Sequence, residues 1–131
     1  MDDLLLKNTK VAAYFIWERT SSDNAMALWC CAEDIASFFE RRGLLDAGSV
    51  AEITGLDKLD PEYVAFVRHV AFRLFIYTNR TDELTNWYDA EGLLNNAEWV
   101  AAVAAAACEY ARGSDGRGIR NEAIREYYNS N

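Results

Sequence analysis

Proline, glycine, cysteine and histidine are all scarce in this sequence. One proline and seven glycines in 131 residues leave few positions that interrupt regular structure, which favours helices over a turn-rich β fold. The single histidine, His69, excludes any catalytic or zinc site that needs two imidazoles. The three cysteines cannot all pair, and Cys30 and Cys31 are neighbours in a helical stretch. We therefore interpret the cysteines as buried small side chains in a reducing cytoplasm.

Long uncharged apolar runs and a surplus of basic charge are also missing. Charged residues interrupt each apolar stretch before it is long enough to span a membrane. Asp2 and Asp3 stand where a signal peptide would have basic residues. These features predict a cytoplasmic protein that does not enter a membrane. The formal net charge of −8 disfavours nucleic acid and anionic membranes as partners, and it suits a basic protein.

Apolar residues are abundant and predict a packed core. They make up 51% of the chain and include four tryptophans, enough for a single domain over residues 1–131. The clearest element is residues 61–78, where Asp60 is a capping residue and Pro61 fits the first helical turn. Apolar side chains cover nearly the whole circumference of this segment. We predict that it is the central helix of an all-α bundle of about six to seven helices.

The sequence also resembles itself at a distance of 58 residues. Residues 12–35 align without gaps with residues 70–93. The matched pairs include Ala13 with Ala71, Thr20 with Thr78, Trp29 with Trp87, and Ala32-Glu33 with Ala90-Glu91. We predict one helix-loop-helix unit used twice, at about residues 11–42 and 69–94, and packed as a pseudo-twofold pair.

Other local signals predict the remaining helices. Ser49 and Glu52 have the spacing of a capping box for a short helix that ends at Gly55, and Asn95 has the same spacing to Glu98. Alanine dominates residues 101–107, so a neighbouring backbone can approach this helix closely. The neighbour is either another helix of the same chain or a second copy in a homodimer. Residues 113–131 form either a docked short helix or a mobile C-terminal arm.

Aromatic residues at helical spacing are predicted first as core anchors. The four anchors taken from the repeat are Trp17, Trp29, Phe75 and Trp87. The alternative is a ligand pocket lined by the tryptophans together with Tyr14 and Phe72.

The repeated Ala-Glu pair is the main candidate for chemistry. Two hairpins about a twofold axis would bring Glu33 and Glu91 together, and paired carboxylates support acid-base chemistry or bind a divalent metal. The structural alternative, which we favour, pairs Glu33 with Lys10 and Glu91 with Arg68, because the basic position repeats as well. The sequence contains no metal-ligand spacing and no Glu-x-x-His pair, so no metal or cofactor is predicted.

His69 and the C-terminal arginines are the remaining candidates. His69 either hydrogen-bonds Glu62 or a loop carbonyl at the edge of the core, or acts as a base beside Arg73. We favour the structural role. Nucleic-acid binding is not the function that we predict, and it would depend on four arginines near the C-terminus: Arg112, Arg117, Arg120 and Arg125.

One motif of the repeat resembles a known family. The run from Ala13 to Trp17, with Trp29, Ala32 and Glu33 after it, resembles the Ala-Tyr…Trp…Trp-x-x-Ala-Glu pattern of a family of small bacterial domains of unknown function. In the second copy, Phe75 replaces the first tryptophan of that pattern. The resemblance implies a helical hairpin and a bacterial or phage-like origin, and it transfers no activity.

The acidic composition and the lack of a complete catalytic constellation predict a noncatalytic protein-binding or regulatory module. One alternative is a metal-binding or small-ligand-binding protein, or an enzyme, that uses carboxylates between the hairpins. Another is an acidic inhibitor that mimics the charge of nucleic acid.

Overall fold

The chain is an all-α bundle. The computed structural model describes residues 3–114 and Arg125. Within these residues there are six helices and no strand: α1 (Asp3–Thr20), α2 (Ala25–Arg41), α3 (Ala47–Thr54), α4 (Pro61–Thr78), α5 (Glu83–Leu94) and α6 (Ala97–Ala111). The predicted fold class is confirmed. The predicted C-terminal segment lies almost wholly outside the described residues. None of the described helices combines the length and apolarity needed to cross a bilayer.

Side-chain caps determine where five of these helices begin. Each cap accepts a hydrogen bond from a backbone N–H of the first turn, and the five caps are Asn24, Asp46, Asp60, Asp82 and Asn96. The bounds of α4 and its Asp60 cap are as predicted. The predicted caps of α3 and α6 were wrong, because the observed caps are Asp46 and Asn96 and not Ser49 and Asn95. In α3, for example, the Ser49 N–H donates to the Asp46 carboxylate at 2.8 Å, so Ser49 lies inside the helix.

The central helix is α6 and not α4. α6 packs against α1, α2, α3 and α5, whereas α4 packs against α2, α3 and α5. Trp99 and Val103 of α6 are fully buried, while Phe72, Phe75 and Ile76 of α4 are exposed. The prediction that α4 is central was therefore wrong. Its apolar residues encircle the helix, but the bundle covers only one side of it.

The alanine run of α6 is buried inside the chain. Ala102, Ala104, Ala106 and Ala107 are all buried, whereas Ala101 is exposed. Their small side chains allow α6 to lie close to its neighbours. Of the two predicted uses of this run, packing within the monomer is the one observed. A homodimer through residues 101–107 stays a prediction.

An apolar groove as the candidate functional site

The two predicted carboxylates contact different tyrosines. Glu33 on α2 is buried and accepts a hydrogen bond from the Tyr110 hydroxyl of α6 at 3.3 Å. Glu91 on α5 accepts one from the Tyr63 hydroxyl of α4 at 2.5 Å. Burial of Tyr63, and then this hydrogen bond, raise the pKa of its hydroxyl to about 12, so the group remains a neutral donor. Each glutamate thus ties one pair of helices together.

Of the two predicted ion pairs, Glu33 with Lys10 stays a prediction, whereas Glu91 with Arg68 is not formed among the described residues. Lys10 is exposed on α1, and Arg68 is exposed on α4. Among the described residues, Glu91 forms no ion pair with Arg68, because the buried Tyr63 presents its hydroxyl to that carboxylate instead. Arg68 stands at the groove between α4 and α5.

His69 is packed as an aromatic ring. It stacks on Phe38 of α2, with ring centroids 3.7 Å apart and an angle of 10° between the planes. Burial, followed by the nearby charge of Arg73, lowers the pKa of its imidazole. Among the described residues its Nε2 has no hydrogen-bond partner, and Glu62 pairs with Arg42 at 3.5 Å instead. This environment supports the structural role that we favoured for His69.

Arg73 contacts the α2 helix. Its guanidinium lies 3.6 Å from the carboxylate of Asp34, and the hydroxyl of Tyr77 donates to the same carboxylate. Arg73 and Tyr77 are one turn apart on α4. The two side chains therefore hold α4 to α2 through a single acceptor.

The lowered pKa of His69 predicts a loss of stability in acid. The unfolded chain takes up a proton near pH 6.5, whereas the folded chain takes it up at lower pH, so the free energy of unfolding falls as the pH drops below about 6.5. An NMR titration reads this pKa without overlap, because the chain has one histidine. We expect a midpoint below 6.5 in the native protein. Replacing Arg73 by Gln should raise the midpoint, while Arg68→Gln, on the exposed side, should leave it unchanged. A native midpoint at or above 6.5 would contradict the packing described for His69.

A groove of about 470 Å³ opens between α4 and α5. Its walls are Arg68, Ala71, Phe72 and Phe75 of α4, Thr81 of the connecting loop, and Glu83, Asn86 and Trp87 of α5. The rings of Phe72 and Phe75 are stacked, with centroids 6.3 Å apart. Cavities of this size hold a small molecule or a few side chains of a partner.

Arg80 keeps the loop at the end of this groove in place. Its guanidinium forms an ion pair with Asp89 and donates to the Asn86 side-chain oxygen at 3.1 Å. In return, the amide nitrogen of Asn86 donates to the Arg80 carbonyl at 2.9 Å. Asn79, with φ of 57°, provides the left-handed turn that reverses the chain. These contacts hold the loop against α5 at the end of the groove.

Two of the four predicted core anchors are not in the core. Trp29 is buried as predicted, and Trp87 is half-buried in the groove. Trp17 and Phe75 are exposed, so their assignment as anchors was wrong. The reason is that α1 and α4 each bury only one side. The signal that we missed is the apolar excess around α4, which is typical of a binding surface as well as of a central helix.

The described residues contain no cluster suited to a metal ion. Within residues 3–114 and at Arg125, no three His, Cys, Asp or Glu side chains come together. The groove between α4 and α5 is a concave site lined by described residues.

Comparison with known proteins adds no relative. No protein-family model matches the chain, and no curated protein or solved structure is significantly similar to it. The resemblance of the repeat motif to a bacterial family stays a prediction. The function is therefore argued from the residues of this chain alone.

Proposed function

We propose that this protein is a noncatalytic module that binds a partner protein by receiving an amphipathic helix of that partner in the α4–α5 groove. The observation that carries the proposal is the exposure of Phe72 and Phe75 beside the cavity. Burying a large apolar side chain is worth about 1.5–3 kcal/mol, so a partner that covers both rings gains binding energy. A helix laid into an apolar groove is a common way to use such a surface.

Charge favours a partner helix with basic residues beside its apolar stripe. The chain has a formal net charge of −8, and the exposed acids Asp82 and Glu83 stand at the loop end of the groove. Hydrogen bonds from Thr85 lower the pKa of Asp82, so its carboxylate is charged at neutral pH. Opposite charge speeds the encounter and orients the bound helix.

The groups best suited to catalysis are already engaged in packing. Burial raises the pKa of the Cys31 thiol, which leaves too little thiolate for a nucleophile. His69 is stacked on Phe38, and Glu91 is bound by the Tyr63 hydroxyl. These contacts support a binding role over an enzymatic one.

Phe75→Ser is expected to abolish capture of the partner. Phe75 and Ile76 are adjacent on α4 and equally exposed, at 42% and 41%, but only Phe75 lines the groove. We would tag the wild-type chain and the variants Phe75→Ser and Ile76→Ser, and compare what each retains from a cell lysate by mass spectrometry. The protein that wild type retains should be missing with Phe75→Ser and present with Ile76→Ser.

Thermal melting of the variants provides the control for this comparison. Both substitutions replace exposed side chains, so both variants should melt close to wild type. Equal capture by Phe75→Ser and wild type would sink the proposal. Equal loss in both variants would show that capture depends on exposed apolar residues of α4 whether or not they line the groove, and the groove would then have no special role.

A further inference from the structure

Two helix limits of the first hairpin match limits of the second: the end of its first helix and the start of its second. Thr20 ends α1 and Thr78 ends α4, and these two residues are 58 residues apart. The same separation joins the first residues of α2 and α5. At both helix ends the threonine hydroxyl donates to the carbonyl four residues earlier, at 2.7 Å for Thr20 and 2.6 Å for Thr78. The match therefore extends from the residue pattern to local geometry.

Contacts between the two hairpins also correspond. A contact of α4 with α2 has its counterpart in a contact of α1 with α5. The Tyr77 hydroxyl of α4 donates to Asp34 of α2. In the repeat, Tyr77 corresponds to Arg19 and Asp34 corresponds to Gly92. Arg19 of α1 lies across Gly92 of α5, so closely that a Cβ added to Gly92 would fall 1.3 Å from the guanidinium. An exchange of this kind is what a twofold axis between two hairpins produces.

Exposed apolar side chains recur at the same positions. Tyr14 and Phe72 are both 52% exposed, Trp17 and Phe75 are 47% and 42% exposed, and Met26 and Leu84 are 47% and 61% exposed. The ring pair on each helix is preserved as well, because the centroids of Tyr14 and Trp17 lie 5.8 Å apart and those of Phe72 and Phe75 lie 6.3 Å apart. We call Tyr14, Trp17 and Met26 the α1 face, and we call Phe72, Phe75 and Leu84 the α4 face.

Acidic side chains accompany both faces. Glu18 and Asp23 are exposed near the loop end of the α1 face, as Asp82 and Glu83 are near that of the α4 face. The same combination of aromatic rings and nearby carboxylates therefore occurs twice on a chain of formal net charge −8. One apolar helix with basic flanks complements both copies.

From these matches we infer that the α1 face is a second binding site for the same amphipathic, basic helix, so that one chain binds two such helices. This inference rests on the proposed function of the groove and extends it to the stoichiometry of the complex. Because each face has its own aromatic pair on its own helix, each face accommodates one segment. The chain would thereby join two copies of its partner, or bind a partner that presents the helix twice.

Calorimetric titration of the full chain with a synthetic helix tests the inference. The probe is a peptide with leucines along one face and lysines along the other. Wild type should bind two equivalents, Trp17→Ser one, Phe75→Ser one, and the double variant none. Ile76→Ser is the matched control and should still bind two. Circular dichroism of each variant confirms that it is folded.

Failure of the inference can be told apart from failure of the proposed function. One equivalent in wild type, lost with Phe75→Ser and kept with Trp17→Ser, would reject the second site and leave the groove intact. Two equivalents that survive in both single variants would reject the two faces as the binding sites. No binding to wild type would also overturn the two-site inference, while capture of the cellular partner would still decide the proposed function.

Discussion

Trp99→Ala is expected to lower the free energy of unfolding by about 3–5 kcal/mol. Trp99 is fully buried on the central helix α6, and its ring meets Phe39 edge-on at a centroid distance of 6.2 Å. Removal of the indole leaves a cavity that backbone-anchored neighbours can fill only in part. Urea unfolding followed by circular dichroism measures the change.

Trp17→Ala is the matched control for this measurement. The two substitutions remove the same atoms, but Trp17 is exposed on α1, so we expect a change within about 0.5 kcal/mol. Trp99→Phe should lose less stability than Trp99→Ala, since the buried indole nitrogen has no hydrogen-bond partner among the described residues and phenylalanine removes that unpaired group. Similar losses for Trp17→Ala and Trp99→Ala would contradict the placement of α6 at the centre.

Ala107→Leu is expected to cost about 1–3 kcal/mol. Ala107 has no exposed surface, so the added carbon atoms must displace packed side chains or move α6 away from its neighbours. The control is Ala101→Leu on the same helix, where the side chain points to solvent and the helix propensities of the two residues are close. Thermal and urea unfolding of the two variants should separate them clearly.

The outcome also bears on the alternative use of the alanine run. If Ala107→Leu left monomer stability unchanged, the buried packing of α6 would be wrong. Light scattering on both variants then shows whether the alanine surface joins two chains. Loss of stability in Ala107→Leu alone supports close packing of α6 inside one chain.

The groove shows how an apolar pattern is misread from sequence. By residue type, Phe75 and Trp87 are predicted as core anchors, and Phe72 is predicted only as part of the alternative ligand pocket. Thr81 and Asn86 carry no signal of their own, and they become part of the site because the Arg80 side chain holds the loop against α5. A residue's place in this groove depends on how α5 packs against α4, and the residue pattern of either helix alone does not determine that packing.

The sequence by itself determined the helices. Capping, propensity and left-handed turns involve residues only a few positions apart, so the limits of α4 at Pro61 and Thr78 and the end of α6 before Gly113 follow from local chemistry. Tertiary structure alone decided which helix is central and which partner each polar group receives. Glu91 meets Tyr63 instead of Arg68, and α6 displaces α4 from the centre, because small side chains let α6 approach its neighbours closely. Such contacts depend on how whole surfaces fit in space, which no short stretch of sequence encodes.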